Sequence, residues 1–384
     1  MENNSREARI LETAKRIMQL PPEMQQAFVW LLENFDFVEK WTKMEVIPED
    51  QLQRMIERAV TKKDHLMFLL LSWQQGSQQN QNKEESFMEI TKSVVVSVVG
   101  RPNVGKSTLT NKLVGRKIAI VSNKPQTTRT RITGILNQDG CQYVFLDTPG
   151  LHKPRSRLGD YMVKVVTDTV AEVDVAMLVV EPIPNVGAPE ETLIKQLKDS
   201  DIPGILVINK TDTVKKEELL AVIAAYAGKF DWAAVIPASA KHSDNLDVIL
   251  SELDKFSLEG PQLFPDDMVS DQPERQMVAE VIREKMLRLL DREVPHGVAV
   301  GVESMEYTNN GVCRIHATIY CEKASHKGII IGKGGEMLKK IGQYARADLE
   351  QDLECKVFLD LWIKVKEGWR NNQFQMRNFG YQDE

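Results

Sequence analysis

The stretch Gly100-Arg-Pro-Asn-Val-Gly-Lys-Ser107 constrains this chain more than any other. An apolar run, residues 94–99, precedes it, and residues 106–114 carry apolar side chains at helical spacing behind it. Strand, glycine loop, then helix is the setting in which G-x-x-x-x-G-K-[ST] holds a phosphate. Gly100 and Gly105 let the backbone pass close to a polyphosphate with no Cβ in the way. The backbone amides of Asn103, Val104, Gly105, Lys106, Ser107 and Thr108 then converge on phosphate oxygens, and the helix N-terminus adds partial positive charge. Lys106 is placed to reach the β- and γ-phosphates, and the Ser107 hydroxyl to ligate Mg²⁺. A plain strand-to-helix turn is the competing reading, and the residues downstream decide against it.

From residue 93 to about 258, strands alternate with helical patterns, which predicts a mainly parallel sheet covered on both faces. The buried runs are residues 94–99, 143–146, 175–180, 205–208 and 233–236; helices fit at 106–114, 158–171, 190–198, 216–227 and 245–256. Ligands of such sheets sit beyond the carboxyl ends of the strands, and the informative residues fall there. Asp147-Thr-Pro-Gly150 ends one strand, Asn209-Lys-Thr-Asp212 another, and Ser239-Ala-Lys241 follows a third. Asp147 places a carboxylate near a bound Mg²⁺. Gly150 offers a backbone N–H to a γ-phosphate, so its loop can sense whether that phosphate is present. Asp212 presents two acceptor oxygens in one plane, matching the N1–H and N2–H₂ of guanine, a pair that adenine lacks. Asn209 and Lys210 buttress the base and the phosphate loop. Ser239 and the Ala240 amide, with Lys241 beside them, are placed to meet guanine O6. Any one of these short segments is weak; their order at successive strand ends predicts a P-loop GTPase domain, residues 92–258, using GTP/GDP and Mg²⁺.

The C-terminal third reads differently. Residues 259–273, rich in proline and acids, form an interdomain linker. Residues 275–290 predict an amphipathic helix, and two strands follow at 297–305 and 311–320, with alternation through Val312, Arg314, His316 and Thr318. Next comes Gly328-Ile-Ile-Ile-Gly-Lys-Gly-Gly335, read as a short helix at residues 332–335, then a helix carrying Lys339 and Lys340, and a last strand at 356–366. Helix–strand–strand–helix–helix–strand with a G-K-G-G loop predicts a type II KH domain, an α+β unit of residues 274–380 that binds single-stranded RNA. Gly332, Gly334 and Gly335 permit close approach to a sugar-phosphate backbone, and Lys333 adds charge. Ile329, Ile330, Ile331 and Leu338 are expected to line an apolar groove for unstacked bases.

Residues 1–75 carry apolar residues at three- and four-residue spacings and predict a small all-α extension, either a helical bundle or a docking element. The polar, Gln-rich residues 76–91 predict a flexible linker. The extension has no catalytic constellation, and its partner is unknown. A net charge of −6 argues against bulk electrostatic coating of nucleic acid while allowing local basic patches. Cys141, Cys313, Cys321 and Cys355 show no C-x-x-C spacing and read as reduced thiols. The N-terminus is polar and charged and no apolar run reaches membrane-spanning length, so the expected location is the cytoplasm.

These motifs resemble the TRAFAC-class translation-factor-like GTPases, and more narrowly the Era family of bacterial ribosome-assembly GTPases. The narrower resemblance rests on Ser122-Asn-Lys-Pro-Gln-Thr-Thr-Arg-Thr-Arg-Ile132, on Asp147-Thr-Pro-Gly-Leu-His-Lys153 and on the C-terminal region. It runs from about residue 93 to 381 and leaves the extension out. The resemblance implies a switch I of Gln126, Thr127, Thr128 and Arg129, with Thr128 joining Ser107 and Asp147 as a metal ligand. Switch II is then Asp147, Thr148, Pro149 and Gly150. Leu151 stands where many signalling GTPases have a water-orienting glutamine, so slow intrinsic turnover is expected. Asn103 either helps hold K⁺ or stabilises its own turn. The RNA-binding set is Ile331, Gly332, Lys333, Gly334, Gly335, Lys339 and Lys340. The implied target is the 3′ end of 16S rRNA during maturation of the small (30S) ribosomal subunit, with peripheral association at the inner face of the cell membrane. An RNA-binding scaffold with structural nucleotide, or a related GTPase acting on tRNA or at the membrane, are the alternatives.

Overall fold

The chain divides into two compact units, Met1–Glu89 and Ile90–Glu384. The structure, a computed structural model, describes residues 90–381. The helices expected in residues 1–75, and all but the last two residues of the expected linker, lie outside the described residues.

The elements of the second unit begin with β1 (Lys92–Val99), α1 (Lys106–Val114), β2 (Ile132–Gln138), β3 (Cys141–Asp147), α2 (Arg157–Val170) and β4 (Val175–Val180). They continue with α3 (Ala188–Asp199), β5 (Gly204–Ile208), α4 (Lys216–Ala227), β6 (Ala234–Pro237), α5 (Leu246–Asp254) and β7 (Leu258–Glu259). The sheet order is β2-β3-β1-β4-β5-β6, parallel except at β2, which runs antiparallel to β3; the short β7 pairs antiparallel with β1. Alternate residues of each strand feed opposite cores, as the two-residue period requires. Val175, Met177 and Val179 of β4 join Leu109 and Leu113 of α1 and Ile249 and Leu253 of α5. Ala176, Leu178 and Val180 join Val166 of α2, Leu193 of α3 and Tyr226 of α4. Burial on both faces explains why these strands read as unbroken apolar runs.

β2 is a strand the apolar runs did not predict. It lies at the sheet edge, and Thr133, Gly134 and Asn137 interrupt its apolar residues. The turn that joins it to β3 carries the signal: Asp139 and Gly140 have φ of 53° and 74°, and Asp-Gly in that conformation is a favoured hairpin turn. The proline-rich segment after β7 is bound to this edge. Ile135 N donates to Val269 O at 2.9 Å, Thr133 Oγ1 to Asp271 at 2.9 Å, and Leu263 N and Phe264 N both donate to Gln142 Oε1.

The second half has α6 (Glu274–Leu289), β8 (Val298–Tyr307), β9 (Val312–Cys321), α7 (Ala324–Ile331), α8 (Glu336–Asp352), β10 (Lys356–Val365) and α9 (Gln373–Asn378). β9 is central, antiparallel to β8 and parallel to β10. The three larger helices cover one face of this sheet, with Val278, Ile282, Ile330, Ile341, Ala345 and Leu349 meeting Cys313, Ile315, Ala317, Ile319 and Ile363. The short helix expected at residues 332–335 is a single 3₁₀ turn, Lys333–Gly335, after α7 ends at Ile331, and Gly334 inside it is left-handed at φ 60°. Gly335 at φ 86° then caps α8, so the left-handed backbone demanded by the turn places the glycines. Ile330 is fully buried in the core rather than lining a groove, whereas Ile329 is half exposed. Cys141, Cys313 and Cys321 are buried and all four cysteines are free. Among the described residues no helix is long and apolar enough to cross a membrane.

After β10 the chain returns to the first sheet domain. Trp369, Met376 and Tyr381 pack with Ala299 of β8 and with Leu158 and Met162 of α2. Trp369 is wholly buried and its indole N–H donates to Gly297 O at 3.0 Å, so both its apolar body and its polar tip are satisfied.

Candidate nucleotide site and RNA groove

The phosphate loop joins β1 to α1 and is held by its surroundings. A Cβ at Gly100 would lie 2.3 Å from Val179 O, and one at Gly105 would lie 2.3 Å from Asn209 Nδ2. Asn209 reaches that close because it braces the loop: its Nδ2 donates to Val104 O at 2.8 Å while its Oδ1 accepts from Ala240 N at 3.0 Å. Lys210 adds a second brace, donating to Asn103 O at 2.6 Å and to Glu181 at 2.7 Å. Glu181 also pairs with Arg101 at 2.6 Å. The Asn-Lys pair therefore ties the end of β5 to the loop after β1.

A groove of about 310 Å³ opens over this loop, lined by Gly105, Lys106, Ser107, Thr127, Thr128 and Gly150 among others. Lys106 is almost wholly buried and donates to Gly100 O and Arg101 O at 3.1 and 3.2 Å. Burial pushes its ammonium down to about 8, against the pull of Asp147. The opposite effect acts on Asp147, where burial lifts the carboxyl to about 6 in spite of Lys106, Ser107 and Thr128. Ser107 Oγ lies 2.6 Å from Asp147 Oδ2 and 2.9 Å from Thr128 Oγ1. Asp147 Oδ1 is buried with no partner. Three hydrogen-bonded oxygens, with the orphaned Oδ1 of Asp147 as a fourth, make a hard-oxygen donor set suited to Mg²⁺ with its remaining positions left to water and phosphate.

Gly150 stands directly over the loop: a Cβ there would fall 2.5 Å from Pro102 N. The next residue, Leu151, donates its amide to Gly100 O at 3.1 Å and buries its side chain in the core beside α2. It offers the groove no hydrogen bond. His152 follows, with Nδ1 2.9 Å from Gly150 O and Nε2 3.3 Å from Gln126 Nε2. A carbonyl only accepts, so Nδ1 carries the proton and Nε2 accepts from the Gln126 amide. At the base end, Ser239 Oγ donates to Asp212 Oδ1 at 2.7 Å, and that bond holds the Asp212 carboxyl below its ordinary value. Lys241 lies 4.0 Å from Asp212 Oδ2. The Ala240 amide, expected to face guanine O6, is occupied by Asn209. Asn103 is left-handed, φ 68°, and donates to Asn123 O at 3.0 Å, linking the loop to the segment that leads into switch I.

Switch I is gripped from the other side. Arg283 of α6 donates to Gln126 O at 3.3 Å and to Thr127 O. Arg129 leaves the nucleotide site altogether. It is 2% exposed, donates to Val298 O at 2.7 Å, His296 O at 3.0 Å and Tyr381 Oη at 3.2 Å, and lies 5.8 Å from the ring centres of Trp369 and Tyr381. Between these contacts, Thr128 meets Ser107. Sequence reasoning missed this grip, because Arg283-Glu284-Lys285 in an amphipathic helix reads as a solvated charge run. All three are buried. Glu284 accepts from Lys117 and Lys285 at 2.9 Å, Arg288 at 2.8 Å and Val121 N at 3.1 Å. Asp348 of α8 shares the same two lysines, at 3.0 Å from Lys117 and in contact with Lys285.

Burial alone would raise Glu284, but Lys285, the Val121 amide and Lys117 outweigh it and hold the carboxyl below its ordinary 4.5. Asp348 is held below 3.8 in the same way by Lys285 and Lys117. Depressed carboxylates contribute stability that is whole above their unfolded values and disappears as the pH falls through the folded ones. Asp352 alongside is raised by burial and works the other way. The melting temperature is therefore expected to fall as the pH drops below 4.5, the ordinary value for a glutamate, and to fall less steeply in Glu284→Gln. Equal slopes by calorimetry would remove Glu284 from the acid response.

The second groove, about 770 Å³, lies between α8 and the edge strand β10, with Gly335, Leu338, Lys339, Arg346, Phe358 and Leu361 in its walls. Leu338 is where the sequence placed it, at the groove. The wall opposite comes from β10, which the sequence reading did not include. Lys340 points to the Tyr344 ring, 5.8 Å from its centre.

A phosphate loop braced by Asn-Lys-x-Asp, followed by a type II KH sheet and its glycine turn, defines a P-loop GTPase that carries an RNA-binding domain. Residues 95–210 match the 50S ribosome-binding GTPase family and residues 293–370 the KH domain family. GTPase Era of Ruminiclostridium cellulolyticum is 52% identical over 290 residues, which span 76% of this chain and 97% of that protein. GTPase Era of Alkaliphilus metalliredigens is 50% identical, over 76% and 99%. Among solved structures, a tyrosine variant of Aquifex aeolicus Era bound to GDP·AlF₄⁻ superposes with a TM-score of 0.74 at 37% identity, over 76% of this chain and all of that one. Era bound to MgGDPNP and nucleotides 1506–1542 of 16S ribosomal RNA superposes with a TM-score of 0.73 at 36% identity, over the same shares. The chain belongs to the Era family of GTPases, which hydrolyse GTP to GDP and phosphate.

Proposed function

We propose that this GTPase acts in assembly of the small ribosomal subunit, in the cytoplasm, by binding the 3′ end of 16S rRNA in the groove between the Lys333–Gly335 turn, α8 and β10. The observation that carries the reading is the likeness, over 76% of this chain and all of that one, to an Era structure that holds both a triphosphate analogue and that RNA. The site chemistry agrees with it. Asp212, kept ionised by Ser239, supplies the planar acceptor pair for guanine. Lys106 and the loop amides supply positive potential for the β- and γ-phosphates. Ser107, Thr128 and Asp147 would hold Mg²⁺, which supplies charge neutralisation at the phosphates when bound. With Leu151 turned into the core, orientation of the attacking water falls to backbone groups or another residue, so intrinsic turnover is slow. K⁺ beside Asn103 would show as a faster rate in potassium than in sodium.

The test is a pair of measurements on one preparation of a variant carrying Lys333→Asp and Gly334→Asp. A Cβ at Gly334 meets nothing within 4 Å, so the turn, although left-handed there, has space for the side chain. Two anions placed where a phosphate backbone must run are expected to lower affinity for single-stranded RNA from the 16S 3′ end by at least about tenfold. GTP hydrolysis is expected to be unchanged. RNA affinity equal to wild type in the folded variant would overturn the reading of this groove.

A further inference from the structure

The helices cover one face of the β8–β10 sheet. The other face is divided. At one end the chain covers it with its own aromatic residues: Tyr320 of β9 packs against Phe379 with ring centres 4.6 Å apart, and Ala299 lies under Trp369 and Tyr381. At the other end the face is open and still aromatic. Phe358 and Trp362 of β10 are 55% and 63% exposed, opposite Arg314 and Thr318 of β9 in the strand register, with Asp360 and His316 as the pair between them.

The open rings are held. Trp362 Nε1 donates to Asp360 Oδ2 at 2.8 Å, and His316 Nδ1 donates to the same oxygen at 3.2 Å. The His316 ring meets Phe358 edge-on, 6.4 Å between centres. One carboxylate therefore fixes an indole and an imidazole on a rigid strand pair, and a phenyl ring stands beside them. Exposed aromatic surface costs solubility, and hydrogen bonds spent on orienting it indicate a surface shaped for flat ligands.

The same strand is a wall of the RNA groove: Phe358 lines the groove as well as the open face. A KH groove clamps about four nucleotides, so a longer strand has to leave it, and β10 is the rim. We propose that the outer face of this sheet, Trp362, Phe358 and His316 set around Asp360, is a stacking platform for the single-stranded RNA that leaves the groove over β10. The inference rests on the RNA reading above and extends it to a second surface. Bases stack on aromatic rings without regard to sequence. On this face Arg314 and Lys364 stand against Glu306 and Asp360, so the platform is nearly neutral. Its grip therefore comes from stacking and not from counterion release, and depends weakly on salt.

The experiment uses the full chain and two labelled single strands from the 3′ end of 16S rRNA, one of about four nucleotides and one of about twelve. Trp362→Ala is expected to bind the short strand as wild type does and the long strand about tenfold more weakly, with the ratio unchanged when salt is raised. Trp362→Phe, which keeps a stacking ring but not the Asp360 bond, is expected to recover most of the loss. The Lys333→Asp, Gly334→Asp variant is expected to lose both strands. An unchanged long-strand affinity in Trp362→Ala overturns the platform while leaving the groove standing. So does an equal loss on both strands, or a change confined to sedimentation, which would assign the face to a second copy. Wild-type binding of both strands by the loop variant overturns the groove, and the platform with it.

Discussion

Lys106→Ala is expected to weaken GTP binding by about a thousandfold and to leave the melting temperature of the free protein equal to wild type or slightly higher. The two effects have one origin. The Lys106 ammonium is buried at the floor of the groove, hydrogen-bonded to two backbone carbonyls, and burial drives it down to about 8 in spite of the nearby Asp147 carboxylate. The free protein thus bears a desolvated charge that a triphosphate would satisfy. Two charge-assisted hydrogen bonds to phosphate, at roughly 1.5–3 kcal/mol each, give about 4 kcal/mol, or about three powers of ten in affinity. Removing the side chain forfeits that. It also relieves the buried charge, and Gly100 O keeps the Leu151 amide as a donor. Calorimetric titration with GTP beside a thermal melt checks both halves. Binding within tenfold of wild type would show that the loop holds triphosphate by its amides alone.

The second large effect is expected at Arg129. Arg129→Ala should lower the melting temperature by about 5–10 °C, from a loss of roughly 3 kcal/mol at a few degrees per kcal/mol for a unit of this size. The side chain donates to two carbonyls and a phenol and lies against two aromatic rings. Charge-assisted bonds and cation–π contacts in a dry setting are worth about 1–3 kcal/mol each. The desolvation of the guanidinium, whose Nε has no partner, cancels part of that sum. Arg129→Lys is expected to recover little, because a point charge cannot span acceptors on three residues. Differential scanning calorimetry of the full chain decides it, and a shift under about 2 °C would mean that the contact contributes little net stability.

How far the sequence foretold all this depended on whether a residue's partners lie near it in the chain pattern. The phosphate loop, Asp147-Thr-Pro-Gly150 and Asn209-Lys-Thr-Asp212 were legible because each sits at the end of an apolar strand. The strand ends of a parallel sheet meet at one edge whatever the helices do. The 3₁₀ turn after α7 was legible from its position between two helices, but the left-handed Gly334 inside it was not, since any glycine permits that conformation and only the φ value shows it taken. β2 was missed although Asp139-Gly140 announced a hairpin, because Thr133, Gly134 and Asn137 break up the apolar run that its buried neighbours keep whole. Ile330 was misassigned because three isoleucines in a row carry no period that says which one faces the core. The burial of Arg129 and of Arg283-Glu284-Lys285 was not legible at all. Beyond their immediate helix neighbours, their partners lie from 63 to 252 residues away, and a charged residue buried against a distant group looks, in one dimension, like any charge on a helix surface.

Thr127, Thr128 and Arg129 are consecutive, yet each is held by a different body: the first by α6, the second by the phosphate loop, the third by the start of β8 and the C-terminal tail. Successive Cα atoms are about 3.8 Å apart, so no slack lies between these grips. That arrangement limits how the chain can be recombined. A cut in the proline-rich segment after β7 looks like a clean seam, but a transplanted RNA-binding half would carry off the pocket for Arg129 and the arginine that holds Thr127. Its new host would lack the matching tripeptide. The exchangeable part is the KH half together with the switch segment it holds, and a chimera that respects only the linker is a graft with its nerve severed.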